Sequence, residues 1–213
     1  MGKEPLFSFI SSAMMKTGRE PMLNDEDKRK LLHLSYGLGA ILLRWITQGE
    51  AIILSSLAVV FNYLLMPTWI PGILRPGEKP LRLTSGILAY PLSVLIILVL
   101  TPWEKREIAA GVWVLLAVGD SAANWSGRKF KSPPLSWNKQ KTQAGFFGFL
   151  LAGFPVALLA AYWVHPEVGL APLVQGVFIT TLAAGIAETL PLPWNDNYSI
   201  AGVGWLTWRF LGL

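Results

Sequence analysis

Seven apolar runs constrain this chain more than any single motif in it. They lie at about residues 31–46, 51–66, 84–101, 107–124, 143–164, 171–190 and 198–213. Crossing a bilayer's hydrocarbon core takes roughly 20 mostly apolar residues in a helix. The runs at 51–66, 84–101, 143–164 and 171–190 are convincing spans. The first and last are short and carry polar residues, which suits interfacial or half-buried helices. The run at 107–124 ends in Gly119-Asp120. We expect an all-α fold, a polytopic transmembrane helix bundle of about six to seven spans. Residues 1–27 form an N-terminal tail or interfacial helix, and residues 28–213 the transmembrane domain that carries the chemistry. Pro67, Pro71, Pro76 and Pro80 stiffen the segment after the second run and argue against helix there. The sequence contains no soluble domain, long linker or internal repeat.

Composition agrees. Charged residues make up 15% of the chain, against about a quarter in a soluble domain. The net charge is +5 and the pI about 9.6. In a soluble protein that balance would raise nucleic acid as a partner. Here the basic residues sit between apolar runs, so anionic lipid headgroups or an anionic substrate are the expected partners. There is no cysteine, so disulfides and thiolate metal sites are excluded. The first apolar stretch is short and ends in Met14-Met15-Lys16-Thr17 without a small-residue cleavage site, so it is not read as a signal peptide.

Lys and Arg counts set orientation. With seven spans, the N-terminal segment and the loops at 67–83, 125–142 and 191–197 share a side. That side includes Lys28, Arg29, Lys30, Arg75, Lys79, Arg82, Arg128, Lys129, Lys131, Lys139 and Lys141. The other side holds Lys105 and Arg106, with Arg44 and Arg209 near span ends. The basic side is therefore expected to be cytoplasmic, or stromal.

The polar residues that interrupt apolar sequence fall on that side. An Asp within an apolar helix is a functional-site hypothesis by default. Asp120 and Asn124 are four apart and share a helix face. Together they could hold a hard cation such as Mg²⁺, which prefers oxygen and usually brings phosphate; an interhelical hydrogen bond or a helix cap would use the same residues. Arg128, Lys129, Lys131, Lys139 and Lys141 follow within fourteen residues. This density suits a polyphosphate, although a loop touching lipid headgroups also explains charge. Lys141-Thr142-Gln143-Ala144-Gly145 opens the fifth run, where free N–H groups and the helix dipole favour an anion. The segment is not a P-loop. Glu188 lies in the last turn of the sixth run, and Asn195, Asp196 and Asn197 form a polar knot before the seventh. The knot is also a good turn and N-cap. His33 shares a helix face with Lys30. No Ser/His/Asp triad accompanies it.

In this order, these segments resemble the polyprenol kinase family, which includes dolichol and phytol kinases. The correspondence runs through Arg29, Lys30 and His33, then Tyr90, Pro91 and Leu92, then Gly119, Asp120, Ala123, Gly127 and Arg128. It continues through Asn138, Lys139, Lys141, Thr142, Ala144 and Gly145, and ends with Glu188, Leu190, Pro191, Asp196, Asn197 and Ser199. It covers about residues 28–205 and fits the phytol kinase branch best. The family often has Asp at Asn124 and at Asn195, and each replacement removes a charge from the supposed metal site.

The resemblance implies transfer of a γ-phosphoryl group from CTP, with Mg²⁺, to the hydroxyl of a long isoprenoid alcohol such as phytol. It implies catalytic roles for Asp120, Glu188, Asp196 and His33. Nucleotide contacts fall to Arg128, Lys129, Asn138, Lys139, Lys141, Thr142 and Gly145, and metal contacts to Asp120, Asn124, Asp196 and Asn197. The partners are membrane lipid, an isoprenoid alcohol and a nucleoside triphosphate, and no nucleic acid. Two rival readings use the same residues. A CTP-dependent cytidylyltransferase would release pyrophosphate rather than CDP. A small transporter would use Asp120 and Glu188 as coupling sites.

Overall fold

A computed structural model of the chain describes residues 25–69 and 85–211. The expectations for residues 1–24, for Pro71, Pro76 and Pro80, and for Arg75, Lys79 and Arg82 lie outside the described residues. Those described are helical, with one isolated antiparallel bridge, Pro134 to Thr142. The helices are α1 (Asp25–Gly37), α2 (Gly39–Leu42), α3 (Gln48–Leu64), α4 (Met66–Trp69), α5 (Gly86–Leu100), α6 (Arg106–Val114), α7 (Asp120–Lys129), α8 (Gln143–Val164), α9 (Leu170–Thr189) and α10 (Asp196–Phe210). A π-helical stretch, Leu115–Gly119, joins α6 to α7 without a break.

Among the described residues, three segments are long and apolar enough to cross a membrane: Trp103–Lys129, α8 and α9. The apolar helices α3 and α5 have 17 and 15 residues and are shorter than that standard. The run at 31–46 is not one helix. It is split between α1 and α2 at Leu38, and α2 ends at Leu42. Pro67 sits in the single helical turn α4, against the expectation of no helix there. The reason is its position at the start of the turn, where a missing N–H and a fixed φ cost nothing.

The α6–α7 segment is the axis of the bundle. Its most apolar window is 72% buried inside the protein, compared with 33% for α8 and 44% for α9. Protein rather than lipid surrounds it, so it can carry Glu107 and Asp120, both buried. Around it pack α8, α10 and α5; α9 covers α8 and α10, and α3 covers α5. The contacts use small residues, as helices in lipid do. A Cβ on Gly111 would stand 2.4 Å from the Trp208 ring, and one on Gly185 would stand 3.0 Å from Leu150. The outward faces are the reverse of a soluble surface. Leu151 is 76% exposed and Leu159 is 68% exposed, with further exposed leucines along α3, a pattern suited to lipid.

The two ends of the bundle differ. One end is tied by Glu107 Oε2 to His165 Nδ1 at 2.6 Å, by Arg106 donating to the Val164 carbonyl and by Gln48 donating to the Leu98 and Thr101 carbonyls. At the other end α1, α7, the 130–142 loop and the start of α10 converge.

Candidate active site

The π-helical stretch delivers Asp120. Its N–H reaches back to the Leu115 carbonyl rather than to the residue one α-turn earlier. Such stretches widen a helix by one residue and occur often at functional sites. The Gly119 backbone lies against Phe149, where a Cβ would be 2.9 Å from the ring. Asp120 is thereby held, buried, at the head of α7.

Helix α1 lies across this point. Glu26, Lys30 and His33 recur at helical spacing and line one cavity together. Lys30 Nζ pairs with Asp120 Oδ2. His33 Nδ1 lies 3.8 Å from the same oxygen and has no hydrogen-bond partner, although it is buried. The His33 ring stacks on Tyr90, with centroids 4.3 Å apart. The Tyr90 hydroxyl donates to the His33 carbonyl at 3.1 Å and accepts from Trp113 Nε1 at 3.2 Å.

The 130–142 loop folds back as a narrow hairpin. Leu135 N–H donates to the Lys141 carbonyl at 2.9 Å, and Gln143 N–H to the Pro133 carbonyl at 3.1 Å. Asn138 Nδ2 donates to the Thr189 carbonyl at 3.0 Å, and Trp137 Nε1 to Thr189 Oγ1 at 3.1 Å, anchoring the loop on the end of α9. Thr142 caps α8, its Oγ1 accepting from Gly145 N–H at 3.1 Å. Gly127 and Gly145 let α7 approach this start: a Cβ on Gly145 would be 3.1 Å from the Ala123 carbonyl oxygen. Lys141 then reaches Glu188 at the end of α9 and, at 2.9 Å, Asp196 Oδ2 at the start of α10. Burial alone would lower the Lys141 ammonium's affinity for its proton. The Asp196 and Glu188 carboxylates outweigh that and raise its pKa above the ordinary lysine value.

Carboxylate oxygens of Asp120, Glu188 and Asp196 lie within 4.8 Å of one another. They come from three helices and face two ammonium groups, Lys30 and Lys141. They line a cavity of about 370 Å³ that also includes Arg128, Thr142, Gly145, Asn124 and Asn197. Arg128 donates to Asn124 Oδ1 at 3.0 Å and pairs with Asp27 at 2.5 Å. The Asn197 side-chain oxygen is buried without a partner. Oxygen donors of this kind, with one amide oxygen unsatisfied, fit a hard divalent cation.

Three of the expected nucleotide contacts are elsewhere. Lys129 lies over the Trp125 ring at 4.2 Å, because its place on α7 turns it away from the cavity. Lys139 is exposed at the hairpin tip. Asn138 is spent on the Thr189 carbonyl and on Gln140 N–H. Lys30, Glu26, Tyr36 and Asn62 line the cavity without having been singled out as site residues. The signal for Glu26, Lys30 and His33 is their i, i+4, i+7 spacing, a polar stripe aimed at a bundle; for Asn62 it is a lone amide in an apolar helix.

No protein-family profile matches the chain, and no solved structure matches it. Among curated proteins, the chain is 29% identical over 137 residues to the probable chloroplastic phytol kinase 1 of Glycine max, covering 62% of this chain and 45% of that protein. It is 27% identical over 205 residues to the chloroplastic farnesol kinase of Arabidopsis thaliana, covering 86% and 65%. It is 25% identical over 195 residues to phytol kinase 1, chloroplastic, of the same plant, covering 81% and 62%. The chain thus spans between about half and two thirds of the length of these relatives. The likenesses cover most of the chain and support a phytol kinase-like polyprenol kinase family.

Proposed function

We propose that the chain is a membrane-embedded kinase that transfers the γ-phosphoryl group of CTP to the hydroxyl of an isoprenoid alcohol, phytol being the foremost candidate. The observation that carries this reading is the cluster of three carboxylates within 4.8 Å, bordered by two lysines and the capped start of α8, in a lipid-facing bundle. The names of the relatives support the acceptor class.

Phosphoryl transfer asks a protein mainly for positioning and for positive charge on the phosphate oxygens. Asp120, Glu188 and Asp196 would hold Mg²⁺, with the amide oxygens of Asn124 and Asn197 as neutral donors. When bound, that ion neutralises charge on the β- and γ-phosphates. Lys141 and Arg128, with the free N–H groups opening α8, would take the remaining phosphate oxygens. The alcohol oxygen forms the new bond to the γ-phosphorus as the bond to the β-phosphate oxygen breaks. We assign His33, whose buried Nδ1 lies 3.8 Å from Asp120 Oδ2, to receive the hydroxyl proton. The products are the prenyl monophosphate and CDP. On this reading the bundle crosses the membrane six to seven times with the site on the cytoplasmic or stromal side.

The test is incubation of the purified protein with labelled CTP, Mg²⁺ and phytol, with farnesol and a dolichol as competitors. Prenyl monophosphate and CDP in equal amounts are expected. Release of pyrophosphate instead would make the protein a cytidylyltransferase, and no consumption of CTP would leave the transporter reading.

A further inference from the structure

A second cavity, about 490 Å³ in volume, runs beside the polar one between α1, α2, α3 and α5. Its walls are almost entirely apolar, with Leu42, Leu43, Ile46, Leu54, Val94 and Trp113 among them. The volume is within the range of small-molecule sites. We propose that this groove binds the hydrocarbon tail of the isoprenoid alcohol and thereby fixes which alcohols are accepted. The inference rests on the kinase reading.

Two observations carry it. First, the two cavities are continuous in their walls, because Tyr36 and Tyr90 line both. Each presents a ring to the groove and a hydroxyl to polar neighbours. Tyr36 donates to Asn62 Oδ1 at 2.8 Å, and Tyr90 donates to the His33 carbonyl. An amphipathic aromatic of this kind suits a boundary between dry and wet surroundings. An alcohol lying across it would keep its tail among leucines and carry its hydroxyl towards His33 and Asp120. Second, the outer rim is open on an apolar side, with Leu38 64% exposed and Leu54 52% exposed. A tail can therefore enter from the bilayer without crossing water. Gly39 keeps the wall tight: a Cβ there would be 2.7 Å from the Trp113 ring.

The test has two arms. In the first, Ala58→Phe narrows the groove without touching the polar cavity, and turnover is measured with geraniol, farnesol and phytol. We expect kcat/KM to fall about tenfold or more for phytol and to stay within about twofold for geraniol, with KM for CTP unchanged. In the second, wild-type protein in phosphatidylcholine nanodiscs is irradiated with a farnesol analogue carrying a diazirine on its tail. Label on α3 and α5 that is competed by phytol supports the groove. Label that phytol does not displace but added phospholipid does would make it a lipid acyl site and overturn the inference. Turnover with an unchanged chain-length profile in Ala58→Phe, and label outside α3 and α5, would overturn it while leaving the kinase reading intact. Phytol-competed label in a protein that phosphorylates no alcohol would keep the tail site and remove the kinase reading instead.

Discussion

Asp120 and Lys141 carry opposite tests of the site. Asp120→Asn removes the charge that a cation needs but keeps the shape of the side chain. We expect turnover to fall about a hundredfold or more, with a lower thermal midpoint in detergent because Lys30 loses its buried charged partner. Activity within a few-fold of wild type would reject the metal role. Lys141→Ala is expected to weaken CTP by roughly 1.5–3 kcal/mol, the worth of one charge-assisted contact, or about ten- to hundredfold in KM. Lys139→Ala should change that constant by less than about twofold, because Lys139 is exposed at the hairpin tip, outside the cavity. Equal effects from the two would return the loop to a headgroup contact. Asp120 and Glu188 were legible in the sequence because each lies within an apolar run, where a carboxylate is expensive, and Asp196 because it stands in the polar knot before the last run. The division of labour among the cations was not. Charge density in the 128–141 segment identifies the loop, but only its fold decides that Lys141 turns inward while Lys129 lies on Trp125.

Helices are set against one another by glycine, and two glycines separate packing from propensity. Gly111 and Gly202 both lie within helices, and a Cβ at Gly111 would meet the buried Trp208 ring whereas one at Gly202 meets nothing within 4 Å. Gly111→Ala is expected to destabilise by about 1–3 kcal/mol through overpacking. Gly202→Ala should stabilise by about 0.5–1 kcal/mol, since alanine loses less conformational freedom in a helix. Thermal denaturation followed by tryptophan fluorescence checks both. Positions of α8 and α9 follow from apolar run length, because little else competes with a 20-residue apolar stretch. The break at Leu38 and the π-helical stretch before Asp120 have no such signature. At each, a glycine lies close against an aromatic ring of another element: Gly39 against Trp113, and Gly119 against Phe149.

For the whole molecule, side-specific labelling tests the arrangement of the two ends, and the absence of native cysteine makes it clean. Lys131→Cys and Leu192→Cys should react with an impermeant maleimide from the same side of a vesicle, and Glu167→Cys from the other. Reaction of Lys131→Cys and Leu192→Cys from opposite sides would break the proposed topology. The all-helical class and the gathering of acidic and basic motifs at one end were readable from apolar runs and loop charge. The groove beside the site was not, since it depends on how α1, α2, α3 and α5 lean together. The lengths of α3 and α5 have one more consequence. At 1.5 Å per residue, 17 and 15 residues rise about 26 and 22 Å, less than a hydrocarbon core of about 30 Å. Where these helices meet lipid, thinning of the bilayer beside them is one way to accommodate the mismatch. The groove would then open where the leaflet is shallowest, and acyl-chain length becomes a control on the enzyme. Turnover in proteoliposomes should be higher in short-chain than in long-chain phosphatidylcholine.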